Sequence, residues 1–176
     1  MHFGDLDPSH PGMEMFAVKE ETGAEYHDVF TNAATGETIW GVNNARDTGR
    51  GLAADIDPNY AGTEVWGAAN LSVWSAQGEV IGLTRPSINF AIWWDGDPLR
   101  ELMDGTSVRK WDWVNQQEVV LLDATGTASN NGTKATPSLQ ADLLGDWREE
   151  VMLRTDDNTA LRIYSCLLYT SPSPRD

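Results

Sequence analysis

Apolar and polar residues alternate along this chain in short bursts separated by Gly, Asn, Asp and Pro. "GMEMFAVKE", "GTEVWGAA", "LSVWSAQG", "NFAIWWD", "SVRKWDWV", "QEVVLLD", "REEVMLR" and "ALRIYS" are each rich in Val, Ile, Trp or Phe. A period of two puts alternate side chains on one face of an extended segment, so these bursts predict half-buried β-strands. No stretch keeps helical spacing over roughly 11 residues or more. "LRELMDG" is the best helical candidate, and Gly105 cuts it short. The expected class is all-β.

One pattern occurs twice. "FGDLDPSHPGMEMF" and "GLAADIDPNYAGTEVW" share Asp-x-Asp-Pro, three variable residues and Gly-x-Glu, with Asp5, Asp7, Gly12 and Glu14 answering to Asp55, Asp57, Gly62 and Glu64 at an offset of 50. "ATGETIW" and "AQGEVI" look like one hairpin reused. Four strands with three turns take roughly 40–50 residues, the period of a propeller blade. Residues 1–165 are therefore expected to hold about three to four blades of a larger β-propeller, incomplete, with an open sheet edge at each end. The chain enters directly into a repeat with no signal peptide, which reads as cut from something longer. "SCLLYTSPSPRD" abandons the pattern, and residues 166–176 are expected to be a non-native, adapter-derived tail.

Charge narrows the partners. Twelve Lys and Arg stand against 27 Asp and Glu, a net charge of −15, which excludes a nucleic-acid binder working through its own basic surface. It also disfavours anionic lipid, and no apolar run reaches the roughly 18–20 residues that span a bilayer. Eight Trp supply ample core material. With Cys166 the only cysteine, no internal disulfide can form.

Asp residues at i and i+2 of a strand project from one face, and the Pro and Gly of the following turn return the Glu to them. Three convergent carboxylates repel unless a cation lies between them. Oxygen ligands without Cys or His suit Ca²⁺, so Asp5, Asp7 and Glu14, and Asp55, Asp57 and Glu64, are candidate ligand sets for several ions. "WWDGDPLRE" (Asp95, Asp97, Glu101) and "DLLGDWREE" (Asp142, Asp146, Glu149, Glu150) are looser variants, and Asp95, Asp97, Asp146 and Glu149 join the candidate metal set. The alternative is that these acids merely build solvated turns. Trp93, Trp94, Trp111 and Trp113 read as blade core, whereas Trp147 could be core or sugar platform. His2 and His27 have no evident partners.

"DTGRGLAADIDP", "NFAIWWDGDPLRELMDG", "SNNGTKATPSLQADLLGDWREEV" and "DDNTALRIYS" together resemble the rhamnogalacturonan lyases of polysaccharide lyase family 11, from His2 to Ser165. The resemblance implies an eight-bladed, calcium-dependent propeller that cleaves the rhamnogalacturonan I backbone of pectin by β-elimination. It also implies a secreted or cell-surface location, a pectic polysaccharide as partner and a monomer when complete. The fragment alone is expected to be inactive.

Elimination at a uronate requires that its carboxylate be neutralised, that a base take the C5 proton, and that the O4 leaving group be accommodated. Calcium bridging protein and substrate carboxylates is the expected way for so acidic a chain to hold a polyanion. Lys134, in the short polar loop "SNNGTKATPS", is the candidate base, with Asn131, Gly132 and Thr133 as sugar contacts. A lysine acts as a base near neutral pH only when its surroundings disfavour the charged form, and Arg50 is the candidate for that nearby positive charge. Arg50 could equally clamp the uronate carboxylate. The family likeness points to the same pair. Two other readings stay open: a non-catalytic calcium-stabilised carbohydrate-binding or adhesion propeller, and a glycosidase working with two carboxylates.

Overall fold

The computed structural model describes residues 1–167, so the expected tail lies almost wholly outside the described residues. The described strands fall into four four-stranded antiparallel sheets in chain order. The first holds β1 (His2–Gly4), β2 (Glu14–Val18), β3 (Asp28–Asn32) and β4 (Thr38–Val42); the second holds β5 (Gly51–Ala54), β6 (Glu64–Gly67), β7 (Val73–Trp74) and β8 (Val80–Gly82). The third holds β9 (Phe90–Ile92), β10 (Glu101–Asp104), β11 (Ser107–Asp112) and β12 (Gln117–Asp123). The "LRELMDG" segment is thus strand β10, because Leu102 and Met103 are needed in two different cores, one on each face.

In the fourth sheet, β13 (Thr127–Ala128) and β14 (Leu139–Ala141) both pair with β15 (Glu150–Thr155), which pairs on its other side with β16 (Leu161–Tyr164). β13 meets Arg154 and Thr155, and β14 meets Glu150 to Met152. The two short strands therefore occupy one strand position, interrupted by the loop 129–138. Lys134 rides on that interruption.

The sheets stack through three cores. Phe16 and Phe30 of the first meet Val65 and Trp74 of the second; Leu52 and Trp66 of the second meet Leu102 and Trp111 of the third. Ile92, Met103 and Val108 of the third meet Val151 and Leu153 of the fourth. Each fully buried side chain of this size contributes about 1.5–3 kcal/mol by leaving water. Trp94 and Trp111 lie in these cores and Trp113 packs against one, as their alternation predicts; Trp93, expected among them, belongs to none of these cores and lines a surface cleft, because its neighbour Trp94 takes the inward face. Gly51 leaves room for the first sheet: a Cβ there would fall 2.3 Å from a Val18 methyl. Gly12 and Gly62 of the repeated motif have φ of 116° and 97°, a left-handed turn that a β-carbon disfavours.

Candidate active site and acidic turns

In each sheet the first strand runs the same way. Its start faces one end of the stack, and its finish opens into an acidic turn at the other. A Glu opens every second strand: Glu14, Glu64, Glu101 and Glu150. All four are buried, and each uses one carboxylate oxygen to accept two consecutive backbone N–H groups of the preceding turn. Those pairs are Leu6 and Asp7, Ile56 and Asp57, Trp94 and Asp95, and Leu143 and Leu144. By this register Asp7, Asp57, Asp95 and Leu144 are equivalent, as are Asp5, Asp55, Trp93 and Asp142.

The second carboxylate oxygen is treated differently in the first three turns. Glu14 Oε1 lies 3.1 Å from His10 Nδ1. Nearby, Asp7 is buried, but hydrogen bonds from Ser9 and Gln77 outweigh that burial and hold its pKa below the usual aspartate value. In the second turn Glu64 Oε1 is buried without a partner. Burial, reinforced by Asp55 and Asp57, lifts the Glu64 carboxyl to about 8 despite the N–H groups of Ile56 and Asp57. Burial and then Asp57 raise Asp55 as well. In the third, Lys110 Nζ reaches Asp95 at 2.6 Å, Asp97 at 2.5 Å and Glu101 at 2.8 Å, so its three N–H bonds answer the cluster. Burial pulls the Lys110 pKa down, but these three acceptors outweigh it and leave it above the ordinary lysine value.

The donor sets thus differ in their fit to a divalent cation. Asp55, Asp57 and Glu64 offer oxygens of one sign near an unpartnered buried atom, a chemistry that suits an oxygen-seeking ion, but their carboxylates are not drawn within 4.8 Å of one another as those of the third turn are. Asp95, Asp97 and Glu101 are close enough to share one ligand, but a lysine already serves them. The fourth turn does not gather Asp146 and Glu149 as the sequence suggested. Asp146 pairs with Arg148, and Glu149 accepts from Trp93 N at 2.8 Å and lies 3.6 Å from Arg100. With Leu144 in the second aspartate position, that turn keeps only Asp142 and Glu150 of the three carboxylates.

At the opposite end, a cleft of about 410 Å³ is lined by Arg50, Asn89, Lys134 and Thr136, with Val18, Ile88 and Phe90 beneath. Arg50 Nη1 donates to Asn89 Oδ1 at 3.0 Å and to the carbonyl of Thr133, 83 residues away. Asn89 is oriented by its own Nδ2, which donates to Asp104 at 2.8 Å. Neither Arg50 nor Lys134 makes an ion pair among the described residues. Of the expected sugar contacts, Asn131 spends its side chain within the loop: Oδ1 accepts from Lys134 N at 3.0 Å and Nδ2 donates to Thr136 Oγ1 at 2.9 Å. Thr133 gives its carbonyl to Arg50. Gly132 is exposed.

β5 separates Arg50 from Asp55, five residues at about 3.3 Å each, or roughly 16 Å. The acidic turns and Arg50 therefore stand at opposite ends of β5. His2 Nε2 lies 3.1 Å from Gly51 O, and His27 is buried with Nδ1 accepting from Asn44 N at 3.2 Å.

Residues 1–173 match the family described as Rhamnogalacturonan lyase family 11, C-terminal domain. The chain belongs to rhamnogalacturonan lyase family 11. It is 57% identical over 171 residues to Rhamnogalacturonan endolyase YesW of Bacillus subtilis (strain 168), covering 97% of this chain and 27% of that protein. Rhamnogalacturonan exolyase YesX of the same organism is 48% identical over 181 residues, covering 94% and 30%. The crystal structure of YesW superposes with a TM-score of 0.90 over 93% of this chain and 28% of that one. A Bacillus licheniformis rhamnogalacturonan lyase structure gives 0.90 at 56% identity, with the same coverage of both chains. This chain therefore spans somewhat under a third of the length of these relatives. Sequence reasoning left three residues of this family member without a role: Glu150 in its turn, Lys110 in its acidic cluster and Asn89 beside Arg50. The buried start of each second strand was the signal that could have found Glu150.

Proposed function

We propose that this chain is part of a rhamnogalacturonan lyase that breaks the backbone of pectin by β-elimination at galacturonate. The observation that carries this reading is the convergence of two cations without carboxylate partners, Arg50 and Lys134, in one cleft of a chain with net charge −15. Among the described residues Arg50 is tied only to neutral oxygens, so its charge is left for an anion. In this reading it clamps the uronate carboxylate and makes the C5 proton more acidic. Lys134, on the loop that interrupts the edge strand, takes that proton, and the electron pair forms the C4–C5 double bond as the O4 leaving group departs.

The four stacked sheets are read as consecutive blades of a larger propeller, eight-bladed in the complete protein. Leu161 and Ile163, 59% and 57% exposed on the outermost strand, support a further sheet packing there. Asp55, Asp57 and Glu64 would hold Ca²⁺, with Asp5, Asp7 and Glu14 as a second set. A bound ion there supplies neutralisation of buried negative charge and so fixes the turn. A wall polymer too large to import supports an enzyme that works outside the cell.

The test uses a protein of the relatives' full length that carries this chain. Cleavage is followed by the ultraviolet absorbance of the unsaturated uronate. Lys134→Ala should abolish product formation while leaving the melting temperature unchanged. Arg50→Ala should do the same. Full turnover by Lys134→Ala would end the assignment of the base, and a saturated product would end the lyase reading.

A further inference from the structure

At the acidic-turn end, away from the lyase cleft, Trp93 and Trp147 line a second cleft of about 330 Å³ together with Gly96, Asp97 and Pro98. The geometry points to this cleft as a carbohydrate-binding site for a neutral pyranose, separate from the place where the backbone is cut. The two indoles meet edge to face, with centroids 6.3 Å apart and planes at 72°, so an angled apolar wall borders the cleft. Arg100 lies over the Trp93 ring at 4.5 Å and fixes it from outside the cleft. An aromatic face carries partial negative charge and attracts the partially positive C–H groups on a pyranose face, which is why sugars stack on indoles.

Trp147 is held there against its own backbone preference. Its φ is 70°, in the left-handed region, which costs a bulky residue about 1–2 kcal/mol. Asp142 secures the strained turn by accepting from Gly145 N at 2.6 Å, Asp146 N at 3.1 Å and Trp147 N at 3.0 Å. The side chain so presented is 55% exposed, so burial does not explain the strain. Strain of this kind persists where the surrounding structure enforces it, often at ligand sites.

Charge selects the class of sugar. The cations around the cleft are already engaged: Lys110 by Asp95, Asp97 and Glu101, Arg148 by Asp146, and Arg100 by Glu149. A uronate would meet net negative charge and no available counter-ion among the described residues, whereas a neutral ring loses nothing by entering. Neutral side branches of the same polymer would provide such rings.

The experiment is native affinity electrophoresis of a protein of the relatives' full length that carries this chain, in gels cast with soluble neutral β-1,4-galactan, with polygalacturonate gels and polymer-free gels as references. The parent chain should be retarded by galactan, and Trp93→Ala and Trp147→Ala should lose at least about nine-tenths of that retardation. Arg50→Ala and Lys134→Ala should keep it, which separates this site from the lyase reading. Trp147→Gly should also lose retardation while melting at the same temperature or higher, because glycine relieves the left-handed strain. Absence of galactan retardation in the parent, its loss in Lys134→Ala, or Trp147-dependent retardation by polygalacturonate instead would each overturn the assignment. A fall of several degrees in Trp147→Gly would also overturn it, by showing that the indole is there for stability.

Discussion

Lys110→Met removes the one cation from the Asp95, Asp97 and Glu101 cluster while keeping most of the side-chain volume. Glu101 is fully buried, and burial already lifts its pKa above the ordinary glutamate value against the opposing pull of Lys110. Breaking a buried ion pair costs about 3–5 kcal/mol, because the surviving charge stays buried. Lys110 is 21% exposed and Asp97 is 44% exposed, so water shields part of this cluster. The expected loss is accordingly about 2–3 kcal/mol. For a chain of this size that lowers the melting temperature by about 4–12 °C. The variant also leaves a vacant oxygen cage, so millimolar Ca²⁺ should restore what the lysine supplied. At 100-fold excess over its dissociation constant an ion returns about 2.7 kcal/mol. Scanning calorimetry in EDTA and in CaCl₂ measures both effects. A variant melting within about 2 °C of the parent in EDTA would refute the view that this charge cluster needs a cation to fold.

Further outcomes follow from the same geometry. Glu150→Ala should destabilise the chain by about 2–4 kcal/mol, since two turn N–H groups lose their acceptor, whereas Glu149→Ala, at a position whose side chain is 21% exposed, should cost less; urea titrations compare them. Asp28 is fully buried, and that burial raises its pKa despite hydrogen bonding to Asn44 and Thr48 and the nearby His27. The folded state therefore holds this proton more tightly than the unfolded chain, and the stability it confers is lost as pH rises from about 4 through the raised value. Asp28→Asn should flatten that slope and melt no lower than the parent at pH 7, as thermal scans across pH will show. Glu64→Gln should abolish any calcium-dependent rise in melting temperature that the parent shows, while Glu149→Gln should leave it.

The strands were legible because each sheet buries one face of a period-two pattern, and the "GTEVWGAA" and "REEVMLR" bursts became β6 and β15. β3, "DVFTN", escaped notice: four of its five residues are buried, so the alternation that marks a half-exposed strand is missing. The acidic repeat was legible as a spacing, but the shorter fourth turn shifted the register, and Glu149 was read where Glu150 belongs. Lys110 was invisible from the motif, since it arrives from the neighbouring strand β11. The meeting of Arg50 with the Lys134 loop needs the second, third and fourth sheets to be stacked first, a tertiary fact that no local pattern encodes. The direction of β5 did, in principle, place Arg50 and Asp55 at opposite ends; what hid the separation was treating both as parts of one motif.

The four glutamates divide their labour oxygen by oxygen. One lone-pair set is committed to the main chain and is the same in every sheet, while the other is at liberty to meet whatever neighbour the local sequence provides. Such a socket lets each sheet drift independently, exchanging one way of balancing surplus charge for another without disturbing the bend that joins its first two strands. A scaffold repeated in this way can lose or gain an ion at one position and keep its shape at the rest.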